Sequence, residues 1–159
     1  MEFISGTLLE GRKEVVDMDV KPSAPNWPKY LRAKSGMAPG FSATAFPKSV
    51  HPNISTYVQA LPDIDEYLCL VNDILSFFKE DLDGETMTYV SIRSRTSQKT
   101  PKRVLVEMVR EVSDLHRQIA ATLEGDSQAS MAWKTLEYGF IAWHLSIERY
   151  KLSQFDFHW

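Results

Sequence analysis

The sequence is short of cysteine. Cys69 stands alone among 159 residues, which excludes an internal disulfide and points to a reducing, cytoplasmic setting. Positive charge is also in short supply: 18 Lys and Arg against 21 Asp and Glu leave a net charge of −3. That balance argues against a nucleic-acid binder or a binder of anionic membranes, although a local cluster of Arg and Lys can still grip a small anion. No uninterrupted apolar run reaches the ~18 residues that a membrane span requires. The opening MEFISGTLLEGRKEVV has neither the basic flank nor the apolar run of a secretory signal. What remains is 43% hydrophobic and 25% charged, the balance of a globular chain with enough length for one domain and a real core.

Hydrophobic spacing divides the chain into helices. Phe3, Ile4, Leu8, Leu9, Val15 and Val16 give the first sixteen residues a helical period, weakened by Gly6 and Gly11. Residues Asp17–Pro28 hold three prolines and read as a linker. Tyr30–Ser35 reads as a short helix ended by Gly36, and GMAPGFSATAFPKSVHPN as irregular chain or short turns. Ile54–Leu61 suits one or two helical turns, with Pro62 as a break or kink. Asp63–Leu82 is a long helix with Leu68, Val71, Leu75 and Phe78 on its apolar side. Tyr89–Arg93 is ambiguous between helix and strand. Thr100 and Pro101 open a helix that Val104, Leu105, Met108, Val112, Leu115 and Ile119 carry to Leu123. A last helix is expected from about Ser127 to Leu152. The fold class is all-α, a bundle of long helices with short connections.

Within VNDILSFFKE, Asn72, Ser76 and Glu80 recur at steps of four. Residues so spaced stack on one helix face, so a carbonyl, a hydroxyl and a carboxylate point the same way. These are hard oxygen donors suited to Mg²⁺ or Mn²⁺. One carboxylate holds Mg²⁺ weakly, and such a site makes sense where a substrate phosphate completes the coordination. A polar stripe on a half-exposed helix is the plain alternative. The whole pattern, Asn/Asp-Asp-aliphatic-x-Ser/Thr-x-x-x-Glu, would however arise by chance in only about one chain in a thousand of this size. Near the other end, WHLSIERY carries Arg149 and Tyr150, a guanidinium fork and a phenol that together suit a phosphate. Lys79, beside the stripe, is either a further phosphate contact or a solvated lysine. Trp143, seven residues before Tyr150, is either cavity wall or plain core; His144 reads as a satisfied core histidine.

VNDILSFFKE and WHLSIERYKL together closely resemble the class I terpene cyclases, in particular fungal-type sesquiterpene synthases related to trichodiene synthase. The first stretch resembles the family's second metal motif and the second its carboxy-terminal Arg-Tyr pair. NWPKYLRAKSG resembles the short helix whose arginine senses pyrophosphate, which maps to Arg32. The resemblance implies that Asn72, Ser76 and Glu80 bind Mg²⁺, and that Arg32, Lys79, Arg149 and Tyr150 bind the substrate diphosphate. It implies ionisation of farnesyl diphosphate, with Trp143 in the wall of the cavity where the cation cyclises.

The family's other metal motif, an aspartate-rich run on an earlier helix, has no match here. VVDMDV, PDIDEY and KEDLDGE hold spaced acids, none paired in the right place. The expected domain is therefore the carboxy-terminal half of a cyclase over residues 1–159, with the earlier helices missing. Such a half would expose an apolar face that promotes self-association. The alternative is a catalytically inactive remnant acting at most as a helical interaction protein.

Overall fold

A computed structural model describes residues 2–36 and 38–154, without the side chains of 2, 3, 5 and 35. Among the described residues there are eight α-helices and no strands. The first expected helix is two: α1, Glu2–Glu10, and a single turn α2, Lys13–Val16, separated at Gly11, whose N–H closes α1 on the Thr7 carbonyl. Helix α3, Trp27–Ser35, takes Pro28 into its first turn, where the missing N–H costs nothing. Pro28 therefore belongs to a helix rather than to the linker.

The stretch expected to be irregular contains α4, Ala38–Ala45. Pro39 lies in its first turn, where it interrupts no hydrogen bond, and packing supplies what the small residues lack. Ala38 and Ser42 are buried, and just beyond the helix Phe46 stacks on Tyr57 with centroids 4.5 Å apart. Two short 3₁₀ turns over Ile54–Thr56 and Val58–Ala60 lead into α5, Leu61–Leu82. Pro62 again opens the helix rather than kinking it. At the far end Gly84 adopts φ of +74°, a conformation cheap only for glycine, and the Glu85 N–H closes back on the Glu80 carbonyl.

Tyr89–Ser97 resolves as helix α6, capped by the Thr88 hydroxyl, which accepts from the Ser91 N–H. Helix α7, Pro101–Thr122, starts on the expected Thr100 cap, and α8, Ser127–Ser146, starts on Asp126, whose carboxylate accepts from two N–H groups at 3.0 Å each. The core lies where α5, α7 and α8 meet: Leu68, Val71, Met108, Ile119 and Trp133 are all essentially excluded from solvent. No helix among the described residues is long and apolar enough to cross a membrane.

The last helix does not run to Leu152. It ends at Ser146; Ile147 is extended (φ −95°, ψ 123°), and Glu148–Tyr150 form a 3₁₀ turn. The apolar period continues through this break, but burying Tyr150 redirects the chain onto α5, and Lys151 closes the turn with Asp83 at 2.9 Å.

Candidate functional site

Helix α5 carries the oxygen stripe, and the turn after α8 brings Tyr150 to it. The Tyr150 ring is buried, 4.6 Å from His144 and 5.6 Å from Trp143 between centroids. Burial raises its phenol above the usual tyrosine range, the Glu80 carboxylate adds to that, and Arg149 and a bond to Asn72 oppose it. Asn72, Glu80, Arg149 and Tyr150 thus share one electrostatic neighbourhood. Trp143 joins it by ring contact, although half its surface is exposed, so it is not core. The same-helix reasoning that coupled Trp143 to Tyr150 fails, because Tyr150 lies beyond the helix end.

Arg32 comes from α3 and is tied to the stripe. Its Nε donates to Asp73 Oδ2 at 2.9 Å and its Nη2 to Asn72 Oδ1 at 3.2 Å, with a longer contact of 3.4 Å to the Cys69 carbonyl. Asn72 Nδ2 lies 3.0 Å from His144 Nε2, while His144 Nδ1 lies 2.7 Å from the Phe140 carbonyl. A carbonyl only accepts, so Nδ1 carries the proton, Nε2 accepts from the Asn72 amide, and the Asn72 oxygen is left facing Arg32. Burial also depresses the His144 pKa, in keeping with a neutral ring. His144 is fully buried and doubly bonded, the satisfied core histidine expected from the sequence.

Asp73 enters the sequence pattern only as the residue after Asn72, with no role of its own. It is buried, and desolvation pushes its carboxyl up to about 6 even with Arg32 beside it; the Glu80 charge pushes the same way. The dipeptide Asn72–Asp73 held the signal: one residue faces the stripe and the next anchors the arginine.

Ser76 is 3% exposed, and its hydroxyl has no hydrogen-bond partner. An unpaired buried hydroxyl costs about 1–3 kcal/mol, so its place between Asn72 and Glu80 suits a ligand that would satisfy it. By type the three donors are hard oxygens of the kind a divalent cation takes, and in this structure the Asn72 oxygen accepts from Arg32. Among the described residues, no three His, Cys, Asp or Glu side chains cluster as a metal site; the stripe offers one carboxylate with two neutral oxygens. Lys79 reaches Glu85 at 3.4 Å and is mostly buried, so it is not a freely solvated lysine. Arg149 is exposed. Arg32 and Arg149 thus stand near the carboxylates Asp73 and Glu80, while Lys79 is paired with Glu85.

Residues 1–156 match the family described as Trichodiene synthase (TRI5). The chain belongs to the trichodiene synthase family. Among relatives of this trichodiene synthase family chain, terpene synthase BipA of Cochliobolus sativus is 35% identical over 154 residues, 96% of this chain and 47% of that protein. The (E)-beta farnesene synthase of Metarhizium brunneum is 35% identical over 156 residues, again 96% of this chain and 47% of the relative. Alpha-cuprenene synthase COP6 of Coprinopsis cinerea is 33% identical over 138 residues, covering 87% of this chain and 42% of the relative. The chain therefore spans about half the length of the relatives it matches, and its all-α architecture agrees with the family.

Proposed function

We propose that this chain is the diphosphate-gripping part of a Mg²⁺-dependent terpene cyclase that turns farnesyl diphosphate into a sesquiterpene and releases diphosphate. The observation that carries the proposal is the convergence of Asn72 and Glu80 of the stripe, which also holds the unpaired buried Ser76 hydroxyl, on Tyr150, Arg149 and Arg32. Asn72, Ser76 and Glu80 would hold the cation, Mg²⁺ or in its place Mn²⁺. When bound, it would add positive charge where the leaving diphosphate becomes negative.

The chain's own groups act in the same direction. Arg149 and Tyr150 offer a fork and a phenol to one phosphate, and Lys79 a point charge. Arg32, released from Asn72, would give its guanidinium to the anion. Trp143 presents a π face that would steady the allylic cation once the diphosphate has left. The family's opposing carboxylates would come from the length of the relatives that has no counterpart in this chain. The one free cysteine accords with a reducing, cytoplasmic setting.

The purified chain given farnesyl diphosphate, with and without Mg²⁺, tests the proposal by gas chromatography–mass spectrometry. A hydrocarbon formed only with Mg²⁺ supports cyclisation by the chain alone. With no product, Mg²⁺-dependent binding of inorganic pyrophosphate in calorimetry would keep the grip and assign turnover to the fuller protein. Neither product nor binding would favour the inactive remnant.

A further inference from the structure

The charges between α3 and α5 do not balance. Lys29 holds Glu66 at 2.9 and 3.1 Å, and Arg32 holds Asp73 at 2.9 Å. Asp65, also on α5, is left over. Its Oδ1 is buried and has no hydrogen-bond partner. Burial raises its carboxyl above the usual range; among the described residues the Ser42 hydroxyl opposes that, and no cation does. Buried charges are normally paired, because the cost of leaving water is recovered only from a counter-charge and full hydrogen bonding.

Asp65 lines a cleft of about 290 Å³ between α3, α4 and α5. Ala33, Ala38, Pro39, Pro62 and Leu70 give the cleft apolar walls, and Tyr89 of α6 adds a ring. Asp65, Cys69 and Asn72 follow one another at steps of four and three, so the cleft continues the face of α5 that carries the oxygen stripe. Arg32 lines the cleft and also donates to Asn72 at 3.2 Å, which sets the cleft beside the diphosphate grip. A hard metal ion is a poor occupant. It takes about six oxygen ligands, whereas these walls are largely apolar, and among the described residues no three His, Cys, Asp or Glu side chains cluster as a metal site. A weakly hydrated organic cation suits both parts of the cleft: its charge answers Asp65, and its apolar substituents cover the walls.

We propose that this cleft is a binding site for a small organic cation, with Asp65 as its counter-charge. The site is separate from the π face of Trp143, which does not line the cleft. Its place in a reaction rests on the cyclase reading. There the occupant is the allylic cation, and the two ends of the cleft favour charge separation: Arg32 stands toward the departing diphosphate and Asp65 toward the cation left behind. The binding itself rests only on the cleft and its unpaired carboxylate, so it is tested without catalysis.

The test titrates the 159-residue chain with choline and with dimethylbutanol, which has the same shape with carbon in place of the charged nitrogen. Backbone amide shifts in NMR should move around Ala33 and Asp65, and choline should bind more tightly than dimethylbutanol. Asp65→Asn keeps the side-chain shape, so it should weaken choline about tenfold and leave dimethylbutanol unchanged. It also removes an unpaired charge, so thermal melting should not fall. Ala33 is exposed, so Ala33→Leu should fold, narrow the cleft and weaken both probes. Should Asp65→Asn fail to fold, the preference of the native chain for choline and the loss of both probes in Ala33→Leu decide the matter. No choline binding, no preference for choline, or choline binding that Asp65→Asn leaves unchanged overturns the proposal. A lower melting temperature with unchanged choline binding would make Asp65 a structural tie to Ser42. Mg²⁺-dependent pyrophosphate binding on the same sample tests the cyclase reading separately, so the two can fail independently.

Discussion

Arg32 brings a guanidinium into a space where Asp73 is only 8% exposed, and each charge depends on the other. Arg32→Ala would leave Asp73 buried without its cation. Breaking a buried pair from one side costs about 3–5 kcal/mol, and that loss is expected in denaturant unfolding. Arg32→Met with Asp73→Leu removes both charges and should recover much of it. A single-variant loss under ~1 kcal/mol would reduce the pair to a surface salt bridge. Cys69 is the other sensitive residue of this corner. Burial raises its thiol to about 11, so it should resist alkylation at pH 8 in the folded chain. The unfolded thiol ionises near 9 while the folded one keeps its proton to about 11. The Cys69 contribution to stability is therefore present below pH 9 and lost as pH rises toward 11, by about 1.4 kcal/mol per pH unit within that window. Denaturant midpoints of the native chain and Cys69→Ala, compared across the window, isolate this slope; identical slopes would contradict it.

Helix α5 was legible because its message is periodic. Steps of four define a face without knowledge of the fold, so Asn72, Ser76 and Glu80 could be grouped from the sequence. Arg32 and Asp73 are 41 positions apart and share no period, so only the packing of α3 against α5 joins them. Helix α4 was missed for the opposite reason. Pro39 and Gly40 look like breakers, yet a proline in the first turn breaks nothing, and burial of Ala38 and Ser42 supplies the rest. The overlong last helix has a tertiary cause, since Ile147 turns out of α8 to bury Tyr150 against α5. At this scale Glu80→Gln should weaken Mg²⁺-dependent pyrophosphate binding about tenfold, ~1.4 kcal/mol, since it removes the stripe's one carboxylate. Calorimetry that shows unchanged Mg²⁺ dependence would sink the metal assignment. Arg149→Ala should weaken the same binding more than Lys151→Ala does, because Lys151 is engaged with Asp83. Equal losses would make Arg149 an ordinary surface charge.

The whole molecule joins a buried inner core to an outer side of α8 on which Met131, Tyr138 and Leu145 stand exposed. Trp133 is 1% exposed beneath α8, while Tyr138, on the same helix, is 73% exposed. The two sides should therefore respond differently to substitution. Trp133→Ala opens the core and is expected to cost about 3–5 kcal/mol, enough to lower the melting temperature sharply. Tyr138 is 73% exposed, so the effect of Tyr138→Glu on unfolding should stay within about 0.5 kcal/mol. It does add charge to an apolar surface, and exposed apolar patches drive association. The isolated Tyr138→Glu chain should thus remain in solution at higher protein concentration than the native chain, at nearly the same melting temperature. Turbidity against concentration, read beside thermal melting, checks both halves of that expectation. A melting temperature that falls as far for Tyr138→Glu as for Trp133→Ala would mean that the outer side of α8 is packed rather than exposed.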